Sequence, residues 1–220
     1  MSNVRSHLAQ SSPHSKILAS AGKFYLAPLG LKRRSKSRVW IKDNFWWLAI
    51  VEFQPSGWSK GSYLNVAAMW LWHPREHLVF DEYERVGSFA AFTDAESFSL
   101  AADALGKLAA LETSKNLARF ASVDTVAKYL TGRAATDPRQ QYHAMMAFLA
   151  VNDLESARAQ QATLASVDYS VAWYTALQAK AEGIVQAATI LAPKDVVAAE
   201  VQNAREMLKL PVIPNAELWA

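Results

Sequence analysis

The chain has 220 residues, 51% apolar and 20% charged, with a formal net charge of +3 and no cysteine. Such a composition supports a core without staples, in one large domain or two small ones, and it excludes disulfide frameworks and zinc–thiolate sites. No apolar run reaches the roughly 18–20 residues that cross a bilayer, and the polar, mixed Met1–Ser15 lacks the apolar centre of a secretory signal. A cytoplasmic location with no membrane partner is the expectation.

In chain order, residues 1–14 are expected to be disordered. Ser15–Leu29 has helical spacing, with Ile17, Leu18, Ala21 and Tyr25 on one side and Ser15 as N-cap, and Pro28-Leu29-Gly30 ends it. A basic segment follows, in which Lys32, Arg33, Arg34, Lys36 and Arg38 lie within seven residues. Without them the formal charge of the rest is −2, so the chain carries one basic segment and is not basic throughout. The spacing predicts this segment to be a linker into a sheet.

The most apolar part of the sequence comes next. Arg38–Asp43 reads as a first strand, and Asp43-Asn44 as the turn after it. Phe45–Gln54 and Ser62–His73 read as two long strands that are apolar on both faces, hence central and covered. Between them lies the turn segment Pro55-Ser56-Gly57-Trp58-Ser59-Lys60-Gly61, expected to be a hairpin loop with an aromatic anchor. Pro74 closes the second run, since proline cannot continue a hydrogen-bond ladder. A fourth strand is expected within Leu78–Phe92, broken near Gly87. The short turns imply an antiparallel meander.

Beyond this the period changes from two to 3.6. Thr93-Asp94-Ala95-Glu96 has the form of a capping box with Thr93 as the cap, opening a helix over Ala95–Arg119. Val123–Thr131 is a short helix. Asp137-Pro138 starts another, giving a helical hairpin Pro138–Val151 and Leu154–Ala165 around Asn152-Asp153, weakly similar to a tetratricopeptide hairpin. Tyr169–Leu191 and Lys194–Leu210 complete the set. The fold class is therefore α+β: an antiparallel sheet of about four strands packed by helices, over residues 15–133, followed by an all-α helical extension over 134–220.

Several residue sets bear on function. Glu52 and Asn65 are polar residues inside apolar strands. If they share a face they form a buried pair or, with Trp70, the floor of a pocket, which is the one hint of an enzyme. The basic run, with Lys60 on the hairpin loop and rings nearby, has the ingredients of anion or nucleic-acid contact: cations for phosphates and rings for stacking. Burial of most of the rings argues against it. His73 and His77, near Glu76, Asp81 and Glu82, are metal ligands in type, but H-E-x-x-H is absent and Pro74 keeps both imidazoles off one helix, so two solvated loop histidines are expected. The chain has no P-loop, dinucleotide fingerprint or G-x-S-x-G elbow, and no cofactor is implied.

A further pattern comprises Gly30-Leu31-Lys32, Trp46-Trp47, Val51-Glu52-Phe53-Gln54-Pro55-Ser56, Trp58-Ser59-Lys60-Gly61, Tyr63-Leu64-Asn65-Val66, Phe80-Asp81, Arg85 and Phe89. It resembles a family of uncharacterised bacterial proteins known as a domain of unknown function, over roughly residues 30–98. The resemblance implies an α+β fold and a bacterial or phage origin, and no activity. The leading expectation is a non-enzymatic interaction protein or subunit of a bacterial complex, with a protein partner on the alanine-rich helices. Nucleic-acid binding through residues 32–38 is the alternative, and an enzyme with a pocket near Glu52 the third reading.

Overall fold

The computed structural model describes residues 12–133, 137–166 and 171–219. Helix α1 (Pro13–Leu26) and a 3-10 turn (Ala27–Leu29) lead into strands β1 (Lys32–Arg33), β2 (Val39–Asp43), β3 (Trp47–Gln54), β4 (Gly61–Trp70) and β5 (Glu82–Ala91). Six helices follow: α2 (Ala95–Arg119), α3 (Val123–Thr131), α4 (Pro138–Ala150), α5 (Leu154–Ser166), α6 (Ala172–Ala187) and α7 (Pro193–Met207). The sheet is antiparallel with its strands in sequential order, and the fold is α+β as expected.

Five strands replace the expected four because the basic segment is not a linker. Lys32 pairs with Ile41 and Arg33 with Trp40, so β1 and β2 form a small antiparallel hairpin. Its turn is held by the segment's own side chains: the Arg33 guanidinium donates to the carbonyls of Lys36 and Ser37, and the Ser37 hydroxyl to that of Arg34. Other boundaries moved for local reasons. Helix α1 starts at Pro13, whose fixed φ suits the first turn, and not after Ser15. Phe45 has φ +69, with its N–H on the Asp43 carboxylate, so β3 starts at Trp47. Strand β4 stops at Trp70, where the N–H is taken by the Asp81 carboxylate at 2.8 Å. β5 runs unbroken through Gly87, which takes φ +70. Asp94, not Thr93, caps α2, accepting from the N–H groups of Glu96 and Ser97. Of the expected disordered residues 1–14, residues 1–11 lie outside the described set, while Pro13 and His14 are helical. The expected boundary at 133–134 and the start of the helix expected from Tyr169 also fall on undescribed residues.

The chain divides into two compact units that alternate along the sequence. The first comprises the described part of Met1–Lys42, with Ile50–Ala67 and Tyr83–Ser114. Its core joins Leu18 and Leu26 of α1, Phe98, Ala102 and Ala109 of α2, and the sheet residues Trp40, Val51, Phe53, Leu64, Val66 and Val86. Gly22 is required on α1, because a Cβ there would lie 2.7 Å from the Trp40 indole. Burial of these side chains stabilises the unit by about 1.5–3 kcal/mol for each large residue.

The second unit comprises Asp43–Ala49, Ala68–Glu82 and the described part of Lys115–Ala220. Trp46, Trp70 and Trp72 stack at centroid spacings of 5.4–5.9 Å with interplanar angles of 10–15°. Phe120 meets Trp47 and Trp70 edge-on. The expected helical hairpin forms: Asn152 supplies a left-handed residue (φ +60) and Asp153 caps α5 through the Ser156 N–H. Arg205 of α7, buried, donates to both Asp43 carboxylate oxygens at 2.7 and 2.9 Å and to the carbonyls of Phe45 and Pro211.

Candidate functional site

In the first unit, alternation along β3 and β4 turns Val51, Phe53, Leu64 and Val66 toward the helices, so Glu52, Gln54, Tyr63 and Asn65 share the opposite face. Glu52 and Asn65, whose sharing of a face the sequence left open, do share one, with Glu52 half-buried and Asn65 buried. The Asn65 amide donates to Glu52 Oε2 at 3.0 Å and to Gln54 Oε1 at 3.1 Å. Arg85 of β5 donates to Gln54 Oε1 at 2.7 Å, and its guanidinium lies 4.5 Å above the Tyr63 ring. The polar ladder thus runs across three strands, from the Glu52 carboxylate through the Asn65 and Gln54 amides to the exposed Arg85 guanidinium. Trp70 belongs to the second unit, where it is fully buried in the tryptophan stack.

Beside this ladder in sequence lies the β3–β4 loop. Ser56 Oγ accepts from the N–H groups of Trp58 and Ser59, a local turn that serine favours. The Trp58 side chain touches almost nothing and is 99% exposed, which corrects the expected aromatic anchor: no apolar neighbour within the Pro/Ser/Gly/Lys segment can cover an indole. Gly61 ends the loop at φ +147, where a Cβ would sit 2.2 Å from the Ala90 carbonyl oxygen.

Arg38 ties this loop to the basic hairpin. Its guanidinium donates to the Gly61 carbonyl at 3.3 Å, to His14 Nε2 at 2.6 Å and to Ser15 Oγ at 2.9 Å. Burial, then the charges of Arg38 and Lys60, hold the His14 pKa below its ordinary value, consistent with a neutral ring accepting from Arg38. Of the six candidate cations, Arg33 and Arg38 are therefore engaged in holding the backbone. Lys32, Arg34, Lys36 and Lys60 are exposed, and among the described residues no carboxylate pairs with them. Loop and side chains also shape a hollow of about 290 Å³ that includes His14, Ser56, Trp58 and Lys60. Four free cations and one bare aromatic face on adjoining segments can bind phosphates and stack a base.

In the second unit the structure assembles a buried chain that the sequence did not announce. The Trp72 indole donates to His143 Nδ1 at 3.1 Å. An indole only donates, so the His143 proton resides on Nε2, which faces Asp81 Oδ1 at 3.4 Å. The other Asp81 oxygen accepts from the Trp70 N–H, and Gln140 donates to the Asp81 carbonyl. With both ring nitrogens engaged, His143 has no lone pair for a substrate, so the chain fixes the end of β4 against α4. His73 is buried and not solvated, contrary to expectation, and its pKa is lowered to about 2, first by burial and then by its neighbours His143, Arg75, Lys180 and Arg139. His77 is exposed, and among the described residues no group of three potential metal ligands converges.

No known family model matches the chain, and neither a curated protein nor a solved structure is found similar to it.

Proposed function

We propose that the protein is a non-enzymatic binding protein that takes single-stranded nucleic acid on the first unit, with Lys32, Arg34, Lys36 and Lys60 on phosphates and Trp58 stacked on a base. The single observation that carries this reading is the bare Trp58 ring on a loop that Arg38 ties to the basic hairpin. An indole left in water forgoes the gain of burial, so its place on the loop tip is accounted for by a flat partner. The Glu52–Asn65–Gln54–Arg85 ladder links the strands on either side of the loop. Fluorescence anisotropy with labelled oligo(dT) and oligo(U) tests the reading: Trp58→Ala weakens binding about tenfold and Trp58→Phe retains most of it, as one stacked base predicts. Absence of binding at low salt contradicts it.

A protein partner on the C-terminal helices is the second reading. Ile190 and Leu191, in the turn between α6 and α7, are 79% and 60% exposed. Light scattering over a concentration series, with Ile190→Lys and Leu191→Lys, tests it: self-association lost in the variants supports it, and a monomer at every concentration that captures no partner opposes it.

A further inference from the structure

The second unit carries a cavity of about 460 Å³ whose polar lining is cationic: Arg75, Arg139 and Lys180, beside the neutral His73. Its apolar wall is made by Trp173, Ala176 and Leu177 of α6. Among the described residues no carboxylate lines it. Lys180 is compensated by Glu200 at 2.8 Å. Arg75 and Arg139 are not compensated by any carboxylate among the described residues. Arg139 lies 4.3 Å over the Trp173 ring, which orients its guanidinium without neutralising it. Two Arg75 nitrogens lie 2.6 and 3.1 Å from the His73 ring nitrogens, but a neutral imidazole has one lone pair and can accept from only one of them. Arg75 therefore keeps donors free, and among the described residues its charge meets no counter-charge. Uncompensated guanidiniums around a half-enclosed space, with an apolar wall opposite, are the recognition chemistry of an oxyanion attached to an apolar body. The volume is several times that of a lone phosphate, which argues for an organic molecule.

We propose that this cavity binds a small organic oxyanion, its phosphate or carboxylate on Arg75 and Arg139 and its apolar part against Trp173 and Leu177. The site is separate from the nucleic-acid surface of the first unit and stands or falls independently of it.

Isothermal titration of the whole chain with inorganic phosphate, phenyl phosphate and benzoate tests the assignment. Phenyl phosphate or benzoate binds saturably and at least about tenfold tighter than inorganic phosphate, because only they fill the apolar wall. A preference between those two identifies the oxyanion as phosphate or carboxylate. Arg75→Gln/Arg139→Gln lowers the affinity of the preferred probe by about tenfold or more. Arg139→Gln alone, at an exposed position of α4, gives the same direction if the double variant does not fold. Lys36→Ala/Lys60→Ala leaves it unchanged. No saturable binding of any probe, equal affinity for inorganic phosphate and phenyl phosphate, or an unaltered affinity in Arg139→Gln overturns the proposal.

Discussion

In the second unit, Trp46, Trp70 and Trp72 lie nearly parallel and shut away from water, and one of them, Trp72, directs its indole proton to His143. In the first unit, Trp58 stands 99% exposed, and the polar groups around it serve to hold the loop beneath it. The same residue type is scaffold in one place and a presented surface in the other. What separates them is the segment that carries them. Trp46 lies just before β3, Trp70 ends β4 and Trp72 follows two residues beyond, so the pairing of these two strands gives the rings one another as neighbours. A Pro/Ser/Gly loop supplies none.

That contrast can be broken from its strongest side first. Trp72→Ala is expected to lose about 3–5 kcal/mol of stability, toward the upper end because it also strips His143 of a donor, whereas Trp58→Ala changes stability by no more than about 0.5 kcal/mol. Comparable costs for the two, in urea titrations followed by circular dichroism, would erase the distinction. Arg205→Ala is expected to lose about 3–5 kcal/mol, since it leaves the Asp43 carboxylate, the Phe45 carbonyl of the β2–β3 turn and the Pro211 carbonyl after α7 without their shared donor. Replacement by lysine recovers only part of this, lacking the two-pronged geometry.

The acid response distinguishes the units next. The unfolded chain protonates His73 near pH 6.5, while the folded chain refuses that proton until about pH 2. Stability is therefore full above pH 6.5 and falls as the pH drops through this window, by at most about 1.4 kcal/mol per pH unit. His73→Gln should flatten the difference between denaturation midpoints at pH 7 and pH 5, and an unchanged slope would show that His73 is accessible to protons in the fold. Smaller still, Gly61→Ala should cost more than about 1 kcal/mol, through its positive φ and the Ala90 carbonyl, and should also disturb the Trp58 loop. A silent Gly61→Ala would mean that the loop is not fixed as described.

Much of this architecture can be read from the chain itself. The strand pairings follow from two-residue alternation, and helices α2 and α3 coincide with their periodicity, although α2 is capped by Asp94 and not by Thr93, and α3 by a Ser122 whose capping role was not read from the sequence. The parity of Glu52 and Asn65 within their own strands was legible too, whereas their sharing of one face depends on the β3–β4 register, which parity leaves open. The additional strand β1 was not legible, since two residues of strand carry no period and the pairing depends on Arg33 folding back over its own turn. The end of β4 at Trp70 depends on a carboxylate eleven residues away. The Arg75, Arg139 and Trp173 cluster joins three segments whose proximity no local pattern encodes. Trp58 did carry a signal, an indole with no apolar residue near it in sequence, and an isolated aromatic of that kind reads better as presented than as an anchor.

The salt dependence of oligo(dT) affinity tests the central claim most directly. Four phosphate contacts predict a slope of about −3 in log affinity against log salt, and Lys36→Ala/Lys60→Ala reduces its magnitude by about half. A slope near zero, or one that the double substitution leaves untouched, would contradict the assignment of the first unit as a nucleic-acid surface.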